Sequence, residues 1–432
     1  MKIKKLRNLP HEIRRFIRMS SELASKLNMD IYLVGGIVRD LFLDRKNVDY
    51  DIVVEGDGIE FAKRISKNLN ISFQRHHAFG TATIYFGDFK IDIATCRKEH
   101  YSHWGALPVV KPASLREDLY RRDFTFNSMA ISLNKNSYGQ LIDFYDGYLD
   151  LEKGLIRVLY DNSFLDDPTR ILRAIRFQMR FSFNMERHTL NLLKKAASIN
   201  ALKFIDEQRL RDELILILKE KHPLKYIKRI QYLLSFSFID EDVRLNRNDY
   251  KLFLRIDRAI RFYKDNFITY RKLDYWLIYL MGIINKLSKE KITNFCRNFG
   301  FRKGEQKRLI NLAEQKKEIN VLKRKVKKSK IFKILKPFSF ETIIFFYAYF
   351  KNKALRNNLF YFLDKLSQLK LKIKGRDLKG LNLRPYHLYS KTLEKLTFAK
   401  IEKGLVTKKH ELEESRMIFK RLKARYHKGK QG

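Results

Sequence analysis

The sequence has little cysteine and no long apolar run. Cys96 and Cys296 are its only cysteines, which excludes a disulfide framework or a cysteine-ligated zinc site and fits a reducing compartment. The first residues lack the apolar core of a signal peptide. The longest apolar run, residues 342–350, is far shorter than the ~20 residues that a membrane helix needs. We therefore expect a soluble, cytoplasmic protein without a membrane segment.

Acidic residues are scarce relative to basic ones. The 432-residue chain carries 90 lysines and arginines against 48 aspartates and glutamates, so its formal net charge is +42. That excess is far beyond what solubility requires, and it indicates a polyanionic partner. A chain of this length is also too long for one hydrophobic core, so two to four domains are expected.

Two adjacent glycines follow an early apolar run. Gly35 and Gly36 end the run I-Y-L-V, and a helix-like segment with Arg39 near its start comes directly after them. Paired glycines let the backbone approach a phosphate, and the start of a helix attracts anions. Taken alone, the glycines are explained more simply by a tight turn.

Asp49 and Asp51 follow about 15 residues later, at the start of a second apolar run. Residues two apart on a strand point to the same face, so the two carboxylates would lie side by side. They repel each other unless a hard cation, usually Mg²⁺, lies between them. Such a pair can also simply keep a strand edge soluble. Combined with the preceding glycines, however, it predicts a phosphoryl-transfer site.

A third carboxylate, Asp92, lies in the apolar segment K-I-D-I-A-T. A buried aspartate between isoleucines needs a hydrogen-bonding partner or a metal. On a strand next to Asp49 and Asp51 it would take up the proton of the primer hydroxyl, whereas on an edge strand it would face solvent. We expect the first arrangement, which makes Asp92 a catalytic residue.

The segment R-R-D-F-T-F-N contains Arg122, Asp123 and Asn127. On one helical face these side chains would offer donors to a phosphate and acceptors to a ribose hydroxyl. A cluster of salt bridges on a helix surface explains the same residues equally well.

The segment D-D-P-T-R-I-L-R places Asp167, Arg170 and Arg173 on one predicted helical stripe. Pro168 suits the first helical position and Asp167 the N-cap, which is enough to explain both. An aspartate beside an arginine also presents an acceptor next to donors. Asp167 can accept from the exocyclic amine of adenine or cytosine while an arginine donates to the ring nitrogen. Guanine and uracil place a carbonyl where that amine should be, so the pair would select A and C.

The remaining pattern predicts a mixed N-terminal region and a helical remainder. Residues 1 to about 135 combine helices, including 58–69, with several strands, and almost everything after about 160 has a helical period. The strands are expected at 71–74, 81–86 and 89–95.

Three further segments stand out from these patterns. Residues 98–115 predict a long loop. Residues 143–151 are typical of a turn or domain joint, with a positive φ expected at Gly147. The basic run at 316–330 predicts either a solvated helix face or contact with a nucleic-acid backbone, and the net charge favours the second.

In this order, the motifs resemble those of class II tRNA nucleotidyltransferases and bacterial poly(A) polymerases, within the DNA polymerase β nucleotidyltransferase superfamily. L-V-G-G-I-V-R-D…D-Y-D is similar to the first family motif, R-R-D-F-T-F-N to the second and D-D-P-T-R-I-L-R to the base-recognising motif. The segment Q-R-L-R-D-E, which begins at Gln208, is similar to the neck-stabilising motif. The family usually has glutamate at the first of these positions, which puts one ion pair of the neck in doubt.

The resemblance implies an α+β fold, with a small mixed-sheet nucleotidyltransferase head at 1–150 followed by an all-helical neck at 151–220, body at 221–320 and tail at 321–432. It implies that Asp49 and Asp51 bind Mg²⁺. It also implies nucleotide contacts of three kinds. These are Gly35, Gly36 and Arg39 at the triphosphate, Arg122, Asp123 and Asn127 at the ribose, and Asp167, Arg170 and Arg173 at the base.

The implied function is addition of the 3′-terminal CCA, or only the terminal A, to tRNA without a nucleic-acid template, by a mechanism with two Mg²⁺ ions. ATP and CTP would be the substrates, and the acceptor end of tRNA the partner, with its stem along the basic helical domains. Residues 98–115 would be the mobile loop of the pocket. A poly(A) polymerase and a CC-adding enzyme share the same motifs. A basic RNA-binding protein with an inactive head is an alternative of a different class, against which the intact Asp49, Asp51 and Arg122 argue.

Overall fold

The computed structural model describes residues 3–46, 49–76, 80–267 and 272–428. The chain forms two compact units, Met1–Phe238 and Ile239–Gly432. Among the described residues, the strands all belong to the first unit. They are β1 (Asp30–Val34), β2 (Asp49–Glu55), β3 (Phe73–His76), β4 (Thr81–Phe86), β5 (Phe89–Thr95), β6 (Arg97–His100), β7 (Val109–Pro112), β8 (Met129–Ser132), β9 (Leu141–Asp143), β10 (Leu155–Ile156) and β11 (Asn184–Met185).

A seven-stranded sheet organises the first unit, with the strand order β3-β4-β5-β2-β1-β8-β9. β2 and β5 run parallel, and the other neighbouring strands of this sheet are antiparallel. Two small sheets pair β6 with β7 and β10 with β11. The described helices of this unit are α1 (His11–Lys26), α2 (Gly36–Phe42), α3 (Gly58–Leu69), α4 (Leu115–Tyr120), α5 (Gly147–Glu152), α6 (Ser163–Asp166), α7 (Thr169–Phe181), α8 (Arg187–Ser198), α9 (Glu207–Leu218) and α10 (Pro223–Leu233).

The core of the first unit follows directly from the apolar periods. β2 and β5 lie inside the sheet, and Val54 and Ile91 on them are fully buried. α3 buries Phe61 and Ile65 four residues apart, on one face. Each such side chain contributes about 1.5–3 kcal/mol on burial. Asp57 caps α3 by accepting from two backbone N–H groups of its first turn, which fixes where the helix begins.

The second unit is helical throughout its described residues. α12 and α17 are buried on nearly all sides, which explains the apolar run at 342–350 as a core helix. No helix within the described ranges is long and apolar enough to cross a membrane. The described helices are α11 (Arg247–Asn266), α12 (Tyr275–Ile284), α13 (Lys289–Asn298), α14 (Lys303–Ile310), α15 (Leu312–Glu318), α16 (Lys328–Leu335), α17 (Phe340–Tyr349), α18 (Lys353–Tyr361), α19 (Gly375–Gly380), α20 (Tyr389–Lys403) and α21 (Lys408–Lys428).

The predicted α+β class is confirmed, because a mixed sheet is followed by helices. The strands at 81–86 and 89–95 and the helix at 58–69 lie where they were expected, whereas β3 begins two residues late. The division into head, neck, body and tail stays a prediction. The cytoplasmic location also stays a prediction.

The loop predicted at 98–115 is partly wrong. Its two ends pair as the antiparallel strands β6 and β7, and α4 begins at Leu115 with a capping box formed by Ser114 and Glu117. The hairpin was missed because Pro108 and Pro112 interrupt any alternation. The almost wholly helical pattern expected after about 160 is confirmed, with one short strand, β11, as the described exception.

Two local predictions need correction. The positive φ lies at Asp146 and not at Gly147. Glycine is required at 147 for space, since a Cβ there would lie 2.2 Å from the Thr125 carbonyl oxygen. The basic run at 316–330 is not one helix face, because α15 ends at Glu318 and α16 begins only at Lys328.

Candidate active site

Three carboxylates lie on two neighbouring parallel strands. Asp49 and Asp51 are two residues apart on β2, and Asp51 pairs in register with Asp92 on β5. Burial raises the pKa of Asp51, and the charges of Asp92 and Asp49 add to this, whereas Arg122 and Lys90 oppose it. The sheet thus brings the three predicted catalytic carboxylates together, an arrangement that positive charge must stabilise.

Lys90 supplies part of that positive charge. It precedes Asp92 by two residues on β5, so both side chains leave the same face, and their ion pair has a nitrogen–oxygen distance of 2.5 Å. The Thr83 hydroxyl on β4 also donates to Asp92, at 2.6 Å. The edge-strand alternative for Asp92 is wrong, because β5 lies between β4 and β2. The sequence prediction missed Lys90, although its spacing from Asp92 was a usable signal.

The turn between β1 and α2 depends on glycine. Gly35 has a φ of +72°, and a Cβ there would lie 2.9 Å from Arg122 Nη1 and 3.4 Å from Asp51 Oδ2. Glycine therefore lets the backbone pass directly beside a guanidinium and a carboxylate. α2 is only seven residues long, so the glycine turn, more than a helix dipole, is what this segment offers a phosphate.

Arg39 is bound more tightly into the protein than the sequence predicted. It is 6% exposed, and it donates to Asn127 Oδ1 at 2.7 Å and to Asp40 Oδ1 at 2.9 Å. Its guanidinium carbon also lies 5.3 and 4.8 Å from the ring centroids of Phe177 and Phe181. These contacts favour a role in positioning Asn127.

Arg122 is held by a buried carboxylate that the sequence prediction did not single out. Its Nη2 donates to Asp118 Oδ2 at 2.8 Å, and Arg121 pairs with the other oxygen of the same carboxylate. Burial alone would raise the pKa of Asp118, but the two arginines hold it below its usual value. Arg122 Nε is buried and has no hydrogen-bond partner among the described residues. The same guanidinium approaches the Gly35 turn through Nη1, and Arg122 lines the cavity described below, where its donors can meet an anion.

Asp123 and Asn127 meet, but not on a helical face. α4 ends at Tyr120, and Asn127 Nδ2 donates to Asp123 Oδ1 at 2.9 Å across a 3-10 turn. The predicted helical face is therefore wrong, whereas the two side chains do lie together. Asp123 Oδ2 accepts from Arg173 Nε at 2.9 Å and Nη2 at 2.7 Å. Burial would raise the pKa of Asp123, but Arg173 and the Asn127 hydrogen bond hold it below its usual value.

Asp167 and Arg170 lie side by side at the start of α7. Asp167 Oδ1 accepts from the Thr169 N–H at 3.1 Å. α7 begins at Thr169, so Pro168 occupies the N-cap position that was predicted for Asp167. Asp167 Oδ2 lies 4.0 Å from Arg170 Nε. Arg170 is fixed in turn, because it donates to Ser163 Oγ at 2.7 Å and to the Arg121 carbonyl at 2.6 Å. An acceptor thus stands next to an immobilised guanidinium, as the base-reading prediction requires.

Arg173 forms ion pairs within the protein, unlike the role at the base that was predicted for it. Besides Asp123, it contacts Glu213 on α9, with 3.0 Å between Nη1 and Oε1. Arg176 pairs with the other oxygen of Glu213 at 3.2 Å. Burial would lower the pKa of Arg173, but the charges of Asp123 and Glu213 raise it. Arg173 therefore ties α7 to both the 3-10 turn and α9.

Arg209 on α9 is a site residue outside the predicted set. Its Nη2 lies 2.9 Å from Asp167 Oδ1, and its Nη1 is buried without a hydrogen-bond partner in the described part of the chain. The signal was present, because Arg209 and Glu213 belong to the Q-R-L-R-D-E segment that was interpreted only as a stabiliser of the neck. Both α9 residues contact the predicted base-reading segment directly.

One cavity of about 560 Å³ joins these groups. Tyr101, Leu107 and Pro108, from the segment that joins β6 to β7, also line it. Asp49 and Asp92 are not part of its lining. The predicted site residues that do line it are Gly35, Gly36, Arg39, Asp51, Arg122, Asp123, Asn127, Asp167, Arg170 and Arg173.

Within the described residues, no group of three or more His, Cys, Asp or Glu side chains is arranged to hold a metal ion. Two carboxylates on one strand face are nevertheless a fitting donor set for Mg²⁺. This ion keeps several water ligands, and one or two carboxylates with substrate phosphates complete its shell. Burial raises the pKa of Asp51 more than Arg122 and Lys90 lower it, so a bound cation would favour its charged carboxylate.

Comparison with known proteins shows which family the chain is similar to. Residues 31–157 match the family described as the poly A polymerase head domain. The chain is 34% identical over 414 residues to an A-adding tRNA nucleotidyltransferase from Geobacter sulfurreducens, covering 94% of this chain and 47% of that protein. The chain spans about half the length of the A-adding relatives that it matches.

Solved structures match over nearly the whole chain. The Thermotoga maritima CCA-adding enzyme complexed with tRNA is 33% identical, with a TM-score of 0.73, and covers 96% of this chain and 98% of that one. A CCA-adding enzyme in complex with ATP is 32% identical, with a TM-score of 0.76 over 96% of this chain and 98% of that one. Both the sheet and the helical remainder are therefore shared.

Proposed function

The chain belongs to the family of tRNA nucleotidyltransferases and bacterial poly(A) polymerases, and we propose that it adds CCA, or only the terminal A, to the 3′ end of tRNA. The substrates are ATP and CTP, and the nucleotide is selected without a nucleic-acid template. One observation carries the proposal. Asp167 and Arg170 lie side by side in the same cavity as Asp51 and the Gly35 turn. Base selection and phosphoryl transfer thus share one pocket.

Base selection follows from which atoms remain available. Asp167 Oδ1 is occupied by Thr169 and Arg209, so Oδ2 is the oxygen left to accept from a base amine. Arg170 donates beside it to a ring nitrogen. Adenine and cytosine present that amine next to a ring acceptor, whereas guanine and uracil present a carbonyl that the carboxylate repels. The unmet Arg209 Nη1 adds a further donor at this end of the cavity.

Divalent metal ions are general in nucleotidyl transfer, and we assign Mg²⁺ to Asp49 and Asp51. When bound there, the metal would lower the pKa of the attacking 3′-hydroxyl and neutralise charge on the triphosphate. The chain's own residues do the positioning. The Arg122 guanidinium and the Gly35 backbone receive phosphate oxygens. Asp92 accepts the proton of the attacking hydroxyl while Lys90 and Thr83 hold its carboxylate.

The choice between A-only and full CCA addition has support on both sides. The A-adding relatives are 34 to 40% identical in sequence, and solved neighbours over nearly the whole chain include CCA-adding enzymes. Both activities need the same Asp167–Arg170 pair. They differ in which tRNA 3′ ends the enzyme extends.

Three tRNA substrates decide the matter. They lack the CCA end, end in C, or end in CC, and each is incubated with labelled CTP or ATP alone. Addition of A only to the tRNA ending in CC means an A-adding enzyme, and addition of C to the two shorter ends as well means a CCA-adding enzyme. Long A tracts on any end would assign poly(A) synthesis instead. No incorporation with Mg²⁺ present would refute the proposal and favour an RNA-binding protein.

A further inference from the structure

The second unit contains a cavity of about 270 Å³ enclosed by positive and aromatic side chains. Residues from α11, from the end of α17 and from the start of α18 form it. We call it the arginine cavity. Its cationic lining residues are Arg255, Arg258, Lys351 and Arg356, and its aromatic ones are Phe262, Tyr347 and Phe350.

No acidic residue lines the arginine cavity. In the described ranges, no carboxylate forms an ion pair with Arg258, Lys351 or Arg356, although the half-buried Arg308 of the same unit is paired. Burial and the neighbouring charge of Arg356 lower the pKa of Arg255. The cations therefore repel one another, and an anion between them would relieve that repulsion.

Two of the guanidinium groups are held in place. Arg255 Nε donates to the Ala348 carbonyl oxygen at 2.8 Å, near the end of α17. Arg356 lies over the Tyr347 ring, 4.3 Å from its centroid. Tyr347 in turn stacks on Phe262, with 5.3 Å between centroids and an angle of 2° between the rings. A guanidinium fixed on an aromatic face loses little conformational freedom when it binds an oxyanion in its fork.

We propose that the arginine cavity is an RNA-binding site, in which Arg258, Lys351 and Arg356 bind a phosphodiester group of the RNA backbone. The cavity has room for a phosphate with part of its ribose but not for a duplex. The chain's net charge of +42 identifies a polyanion as the partner class. The site lies on the second unit and so goes beyond nucleotide addition; it rests on the proposed function only in taking tRNA as the RNA.

The test measures tRNA affinity across a range of salt concentrations for three proteins. These are the wild type, the double variant Arg258→Ala/Arg356→Ala, and the control Lys303→Ala/Lys307→Ala. The control removes the same charge from exposed positions of α14 that have no ion pair within the described chain. The arginine variant is expected to bind tRNA at least about tenfold more weakly. The slope of its log affinity against log salt concentration is expected to be shallower by the equivalent of about one phosphate contact. The control is expected to bind almost as tightly as the wild type.

Two results would overturn the assignment. Equal losses in both double variants would mean that general charge, and not this cavity, binds the RNA. An unchanged affinity in the arginine variant would mean that RNA does not reach the cavity. Tyr347→Leu, which keeps every charge but removes the ring beneath Arg356, is expected to give an intermediate loss. Melting temperatures of all variants show whether folding is intact.

Incorporation measured on the same samples separates this site from the proposed function. At saturating tRNA, the arginine variant is expected to keep the turnover number of the wild type, because the altered residues lie outside the nucleotide cavity. If the wild type binds RNA through the arginine cavity but adds no nucleotide, the proposed function fails and the site stands. If nucleotide addition is normal and the arginine variant binds as the wild type does, the site fails and the function stands.

Discussion

Replacing Asp167 by asparagine should change which nucleotides are accepted. Oδ1 of this residue is engaged by Thr169 and Arg209, so in Asp167→Asn the amide nitrogen takes the place of Oδ2 beside Arg170. An acceptor for a base amine is thereby exchanged for a donor. Adenine and cytosine lose a partner, and guanine and uracil gain one for their carbonyl oxygen.

The size of the effect follows from the loss of one charge-assisted hydrogen bond. Such a bond contributes about 1.5–3 kcal/mol, which corresponds to roughly a 10- to 100-fold fall in kcat/KM for ATP. The kcat/KM for GTP should rise at the same time, since the repulsion by a carboxylate is removed. The amide oxygen retains the hydrogen bond from the Thr169 N–H, so the melting temperature should change little.

The assay is single-nucleotide incorporation with each of the four nucleoside triphosphates. Asp166→Asn is the matched control, because it makes the same chemical change one residue away, outside the cavity lining. The expected result is that the ratio of kcat/KM for ATP to kcat/KM for GTP falls strongly in Asp167→Asn alone. An unchanged ratio in Asp167→Asn, or an equal change in both variants, would refute base reading by this carboxylate.

Three further predictions concern other groups. Asp51→Asn should abolish incorporation while leaving tRNA affinity unchanged, and any retained Mg²⁺-dependent turnover would contradict the metal assignment. Gly35→Ala should lower kcat/KM and reduce the free energy of unfolding, measured in denaturant, by about 1–3 kcal/mol. The reason is that φ is +72° at this position and the new methyl group would lie 2.9 Å from Arg122 Nη1. Wild-type kinetics would refute the close approach. Burial lowers the pKa of Lys316 from 10.5 to about 8. Between pH 8 and 10.5 the unfolded chain therefore binds more protons than the folded one, so the free energy of unfolding of the wild type should rise with pH from about 8 to 10.5 relative to Lys316→Met. Equal pH dependence of the unfolding free energy in the two proteins would contradict this.

The local parts of the site could be predicted from the sequence because short-range rules decide them. Spacing by two places Asp49 and Asp51 on one strand face, and Gly35 marks the tight turn. The helix at 58–69 follows from its period and its Asp57 cap. Asp92 could be placed beside Asp49 and Asp51 only on the condition that their strands are neighbours, because strand order depends on pairing between segments that are distant in sequence.

Contacts between side chains that are far apart in the sequence could not be predicted from the sequence patterns. Nothing in the spacing shows that Arg209 reaches Asp167, or that Arg173 turns to Asp123 and Glu213, since these depend on how α7 and α9 pack. The β6–β7 hairpin was missed for a related reason. Its strands are short, and β7 follows Pro108 and ends at Pro112, so tertiary pairing and not propensity determines them.

The single parallel pair of the seven-stranded sheet, β2 with β5, has a consequence for how the enzyme becomes active. A hairpin cannot join parallel strands, so residues 56–88 must cross over before Asp51 and Asp92 become neighbours. The loop-closure entropy of that crossover has to be overcome before the pairing gains any free energy. During refolding, nucleotide addition should therefore appear later than the helices and the β4–β5 hairpin. Recovered activity would then report the completed sheet and not merely recovered secondary structure.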